Sequence, residues 1–177
     1  WLLFRLLFLV RFSDLESSET SSSLVVGVVR CVYGSVVVTA AISVGGRVGM
    51  GARFTPAKLY QALQGGVTLL SAVPQMHALL MQYTREQGVA QLQGCALRYV
   101  SSGAAPLDPD WKRRAELFYG VALQNGYGMT ETTAGICATR SPIGDPDVSV
   151  GPALPGVEVR IDQHIEGGGD GLGEVLT

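Results

Sequence analysis

Lysine is nearly missing from this sequence. Of thirteen basic residues only Lys58 and Lys112 are lysines, and the formal net charge is −2. A nucleic-acid binder should show a basic face, and a chain with 16% charged residues and more acid than base argues against that class. Histidine is equally scarce: His77 and His164 stand far apart, and each reads as packing or surface rather than catalysis. Three cysteines, Cys31, Cys95 and Cys137, are widely spaced and odd in number. They match no metal-ligand spacing and no disulfide framework that uses all three, so reduced thiols in a cytoplasmic protein are expected. A membrane-crossing helix needs about twenty apolar residues. The opening stretch "WLLFRLLFLV" is far shorter, and no small-residue cleavage site follows it.

What is present is apolar. Hydrophobic residues make up 47% of the 177, enough for one domain with a real core. The chain opens on Trp1, so a piece of a longer protein is expected, with residues 1–30 left as an unassigned lead segment. "SDLESSETSSS" (Ser13–Ser23) reads as a loop. It has no glycine, and no lysine occurs before Lys58, so it is not a phosphate-binding loop.

Strand and helix signals then alternate. "VVVTAAISV" (Val36–Val44) has strand propensity, and a short apolar piece follows at Arg47–Gly51. Thr55, Pro56 and the Leu59, Ala62, Leu63 face predict a helix ending at Gly65-Gly66. "VTLLS" predicts a buried strand, and a helix opens at Pro74 and closes at Gly88. "ALRYV" (Ala96–Val100) predicts a strand and "SSGAAPLD" a turn. A helix capped by Asp108 follows, then a strand at "VALQ" (Val121–Gln124) and a turn at "NGYGMTET". Such strand–helix–strand units make parallel neighbours of one hand. Both turns therefore leave the same edge of the sheet, where open α/β sheets bind ligands. Beyond Arg140, "VGPALPGVEVRI" and "GEVLT" read as β-ribbon, with a turn at Pro155-Gly156 and a hairpin loop at "EGGGDG". The fold class is α/β: a partly parallel sheet flanked by helices, with a β-ribbon at the C-terminal end.

One stretch asks for more than a fold. "QNGYGMTETTAG" (Gln124–Gly135) surrounds a tyrosine with glycines, then sets hydroxyls around one glutamate. A turn needs the glycines but not Thr130, Glu131, Thr132 and Thr133 in a row. On residue type alone, Tyr127 can be a packed turn aromatic, Thr130 and Thr132 helix caps, and Glu131 a solvated carboxylate. The same residues suit a phosphate, a metal or both.

Three blocks decide the weighting. "SSGAAPL" (Ser101–Leu107), "YGMTE" (Tyr127–Glu131) and "VGPALPGVEVRI" (Val150–Ile161) resemble, in order and spacing, the adenylate-forming ligases: acyl-CoA synthetases, 4-coumarate-type CoA ligases, luciferases and peptide-synthetase adenylation domains. Weaker likeness reaches upstream to "CVYG" at Cys31, so residues 31–177 resemble part of an AMP-binding domain. The resemblance implies that Gly103, Ala104, Ala105 and Pro106 run along the adenine and the acyl-adenylate. It implies that Asn125, Gly126 and Gly128 border that site and that Tyr127 stacks on the base. Thr130 is then the hydrogen-bond donor to the α-phosphate and Glu131 the Mg²⁺ ligand, these two being the catalytic candidates. Tyr33, Val37 and Ala104 fall beside the acyl group, and Arg53 falls where the coumarate type has a basic residue near CoA. The family makes the Val36–Val44 segment helical, against its propensity.

The implied substrates are ATP, a fatty or aromatic carboxylic acid, and CoA. The family's glycine-rich loop with its lysine is not found before Cys31, nor its lid lysine before Thr177. The 177 residues alone are therefore expected not to adenylate. Two other readings stand beside this one: an amino-acid-activating adenylation domain, disfavoured because "CVYG" has no acidic residue to pair an amine, and a non-catalytic nucleotide-binding or interaction module.

Overall fold

The computed structural model describes residues 6–11, 24–29, 41–43, 45–51, 54–133, 135–166, 168–169 and 171–177. The first three strands are β1 (Leu6–Arg11), β2 (Leu24–Val29) and β3 (Arg47–Gly51). Then come α1 (Pro56–Gln64), β4 (Val67–Ala72), α2 (Pro74–Glu86) and β5 (Tyr99–Gly103). α3 (Pro109–Tyr119), β6 (Leu123–Gly128) and β7 (Gly135–Ala138) follow, and β8 (Arg160–Asp162) and β9 (Glu174–Leu176) end the chain.

Seven strands form one sheet in the order β1-β3-β2-β4-β5-β6-β7, while β8 and β9 pair separately and antiparallel. β2, β4, β5 and β6 run parallel to one another, and β1 and β7 run antiparallel to their neighbours. The fold is the parallel-rich α/β sheet with flanking helices that the alternation of elements predicts, with an antiparallel pair at the C-terminal end. β1 and β2 bring part of the first thirty residues into this sheet. The serine-rich loop and most of Val36–Val44 lie outside the described residues; of the latter, 41–43 are helical.

Local chemistry explains the helices. The Thr55 hydroxyl accepts the Lys58 N–H at 3.2 Å and Pro56 sits in the first turn, where its missing N–H costs nothing. Leu59 and Leu63, one turn apart, bury completely. α3 starts in the same way, with the Asp108 carboxylate accepting the Trp111 N–H at 2.8 Å. It ends at Gly120, whose φ of 69° is left-handed, the conformation glycine adopts at a helix end without strain. α2 begins at Pro74 with no side-chain cap and buries Met76, His77, Leu80 and Thr84. These faces close on Val67, Leu70, Val100 and Leu123 of the central strands, together with Ala115 and Phe118, as one core.

Three local readings change. β5 occupies Tyr99–Gly103 rather than Ala96–Val100, because its partners set its length: Leu69 pairs with Tyr99 on one side and Gly126 with Gly103 on the other. β6 continues through "NGYG", which is strand and not turn. The reason is β7, whose "GICA" gave no strand signal in isolation but supplies an antiparallel partner to Gly126, Tyr127 and Gly128. In the last block only Arg160–Asp162 forms a strand, preceded by a single bridge of Ala153 to Cys137. Pro152 and Pro155 have no N–H to extend a ladder. The turn there is as read: the Val157 N–H donates to the Leu154 carbonyl and Gly156 has φ 83°.

Candidate adenylate site at the sheet edge

β5 and β6 run parallel, with Ser102 paired to Asn125 and Gly103 to Gly126. Their following loops, 104–108 and 129–133, therefore leave the same edge. The first block sits on one strand and its loop, the second on the neighbouring strand and its loop. The third block crosses the next strand: the Ala138 N–H donates to the Pro152 carbonyl and the Leu154 N–H to the Ile136 carbonyl, at 3.2 and 2.8 Å. Three separated stretches of sequence thus lie side by side in space.

Close backbone approach demands small residues here. A Cβ on Gly126 would stand 3.2 Å from the Cys137 carbonyl oxygen. A Cβ on Gly151 would stand 2.3 Å from Ala138 backbone atoms, and its φ is 79°. Ala104 and Thr133 are the non-glycine residues with positive φ among those described, at 63° and 67°. Such backbone costs on the order of 1–3 kcal/mol and collects at ligand sites. One falls in each of the two loops.

Asn125 is buried and fully committed on its amide nitrogen. Nδ2 donates to the carbonyls of Val148 and Ser149, at 3.1 and 2.9 Å. Two acceptors fix the amide orientation, which leaves Oδ1 without a protein donor among the described residues. The neighbouring Gln124 Oε1 accepts the Ser141 N–H and the Thr139 hydroxyl, both at 3.0 Å. The Ser102 hydroxyl, at the end of β5, is the one buried side-chain polar atom without a partner among those described. Burying such a group unpaired costs about 1–3 kcal/mol.

Tyr127 is half-buried and Thr130 and Glu131 are exposed. No helix follows them: Met129 to Thr133 is a turn, closed by Thr133 N–H to Thr130 carbonyl at 3.1 Å and by Thr132 Oγ1 against Met129. Helix capping is therefore not what Thr130 and Thr132 do. Neither the Tyr127 ring nor the Glu131 carboxylate has a side-chain partner among the described residues.

The structure pairs Gly103 with Gly126 and puts Ala104, Ala105 and Pro106 in the loop after β5, Asn125, Tyr127 and Gly128 on β6, and Thr130 and Glu131 in the turn after it. Tyr33, Val37 and Arg53 lie outside the described residues, as does Cys31. Thr139, Ser141, Val148 and Ser149 escaped the sequence reading, since backbone carbonyls leave no mark in a sequence. The paired amides Gln124-Asn125, on a strand otherwise bound for the core, were the available signal. A separate cavity of about 590 Å³ opens between α2 and α3, lined by Ala78, Met81, Gln82, Arg85, Trp111 and Arg114. None of the three blocks contributes to it.

Known proteins share parts of this sequence and fold. The chain is 43% identical over 76 residues to long chain acyl-CoA synthetase 8 of Arabidopsis thaliana, a match covering 42% of this chain and 10% of that protein. It is 33% identical over 95 residues to the human mitochondrial acyl-coenzyme A synthetase ACSM5, covering 54% of this chain and 16% of that protein. The chain thus matches a small part of the length of each curated relative. Among solved structures, an acyl-CoA synthetase from Brucella canis superposes with a TM-score of 0.55 at 28% identity, over 70% of this chain and 23% of that one. An amide bond synthetase from Marinactinospora thermotolerans superposes at 0.58 and 27% identity, over 71% and 26%. The model of the AMP-binding enzyme family matches residues 10–176, and the chain belongs to that family.

Proposed function

We propose that this chain carries the adenylate-holding edge of an acyl-CoA synthetase, which activates a fatty or aromatic carboxylic acid as its acyl-AMP and passes the acyl group to CoA. The observation that supports this most is the adjacency of Gly103 and Gly126 on parallel strands. It sets the "GAAP" and "YGMTE" loops on one edge.

The residues fit a nucleotide. Ala104, Ala105 and Pro106 are exposed and small, so a planar base can lie along their backbone. Asn125 Oδ1, without a protein donor among the described residues, is an acceptor for it, and the Tyr127 ring supplies a stacking face. Thr130 offers a hydroxyl to the α-phosphate. Glu131, an exposed carboxylate, suits Mg²⁺, a hard cation that takes oxygen ligands and supplies charge neutralisation on the phosphates when bound. In the reaction a carboxylate oxygen of the acid attacks the α-phosphorus. The acyl–oxygen–phosphorus link forms, the bond to the β-phosphate breaks, and pyrophosphate leaves with the electron pair. A CoA thiolate then attacks the acyl carbon and AMP departs. Positioning and preorganised charge carry most of such a transfer.

Calorimetric titration of the 177-residue chain tests the reading. AMP binding is expected, and Tyr127→Ala should weaken it by the stacking contribution of about 1–3 kcal/mol. Glu131→Ala should weaken MgATP and leave AMP alone. A Tyr127→Ala affinity equal to that of the parent chain would make Tyr127 a packing residue, and equal MgATP affinity would remove Glu131 from the metal.

A further inference from the structure

The loop from Arg140 to Ser149 contains no helix or strand, so its path is not set by a backbone ladder. Two charged residues of α3 set it instead. Lys112 is 1% exposed, and its Nζ donates to the carbonyls of Asp145 and Asp147 at 2.8 and 2.6 Å. Glu116, one turn on and 2% exposed, accepts the Leu123 N–H at 2.9 Å and the Gly144 N–H at 2.8 Å. An apolar residue of similar size is often as stabilising as a buried charge. Stability alone therefore does not explain a lysine at this position.

The hydrogen bonds continue from the loop to the site. The Asp147 carboxylate accepts both the N–H and the hydroxyl of Ser149, at 2.8 and 3.0 Å, and Ser149 Oγ accepts the Gly151 N–H at 3.2 Å. The carbonyls held in this way, Val148 and Ser149, are the two that receive the Asn125 amide. We propose that Lys112 is a positioning residue of the nucleotide site: its buried ammonium fixes the 145–149 chain, and through the Val148 and Ser149 carbonyls it turns the Asn125 amide oxygen toward the ligand. This rests on the nucleotide reading of Asn125, and the test separates the two.

The first measurement needs no ligand. In the parent chain the Asn125 side-chain amide protons should exchange slowly by NMR, since both are held. Lys112→Met should speed that exchange and weaken AMP binding about five- to tenfold, the size of a typical coupling between linked groups. Lys112→Met and Asn125→Ala should be non-additive in AMP affinity. Asp108→Ala, a cap on the same helix, should leave Asn125 exchange and AMP affinity unchanged, which sets aside general loosening of α3. If Lys112→Met fails to fold, Ser149→Ala, on an exposed residue, is expected to give the same two effects more weakly. Unchanged exchange in both variants overturns the proposal, and so do additive affinities. If the parent chain leaves AMP unbound, the nucleotide reading falls, and the exchange measurement alone decides whether Lys112 orients the amide.

Discussion

His77 should make this protein lose stability in mild acid. It is completely buried beneath β5, on α2. Nε2 lies 3.1 Å from the Ser101 carbonyl oxygen and Nδ1 lies 2.7 Å from the Tyr119 hydroxyl. A carbonyl can only accept, so Nε2 carries the proton and Nδ1 accepts from Tyr119. The rings of Trp111 and Tyr119 pack edge-on at 6.0 and 5.5 Å. Charging an imidazole in that surround forfeits its hydration. Burial accordingly lowers the His77 pKa from 6.5 to about 4, with the Ser101 and Ala72 carbonyls offsetting part of the effect. The unfolded chain therefore takes up a proton before the folded one. Stability from this group is complete above pH 6.5 and falls as pH drops from 6.5 toward 4. Linkage puts the loss between pH 7.5 and pH 5 at about 2 kcal/mol, a large share of a typical domain's roughly 5–15 kcal/mol. Urea unfolding followed by circular dichroism at a series of pH values measures it, with His77→Gln as the comparison. The parent should lose about 2 kcal/mol over that range, and the variant, though less stable at pH 7.5, should lose much less. A parent curve as flat as the variant's, or a variant as steep as the parent, would refute the argument.

Other outcomes follow from single contacts. Gly151→Ala sets a Cβ 2.3 Å from Ala138 backbone in a left-handed conformation, so it should cost about 3 kcal/mol or more by urea titration. Asp108→Ala removes the 2.8 Å cap on the Trp111 N–H and should cost about 1 kcal/mol, seen as a lower melting temperature at unchanged AMP affinity. ATP–pyrophosphate exchange by the 177-residue chain should stay at background across a panel of carboxylic acids. Lys58 lies in α1 and Lys112 is buried against loop carbonyls, so neither is placed to meet phosphate charge. One missing donor of that kind costs about 3–4 kcal/mol in rate. Exchange abolished by Glu131→Ala would show the chain to be sufficient.

Much of the molecule was legible from residue order, because its signals are local. Thr55, Pro56 and Asp108 punctuate helices through contacts that span three or four residues, and these act as read. The alternation of elements also determined the parallel β4, β5 and β6, since a strand–helix–strand crossover leaves one workable hand. With it came the shared edge where the two loops meet. The extent of β5 and β6 was not legible, because a ladder depends on what lies alongside. "NGYG" is strand because Gly135–Ala138 pairs with it, and nothing within either stretch announces the other. Lys112, Glu116 and Asn125 show the same limit more sharply. By composition they are surface residues, yet each is buried, because carbonyls and N–H groups from distant residues satisfy them. Those partners exist only once the chain is folded, so the tertiary structure alone decided where these polar groups sit.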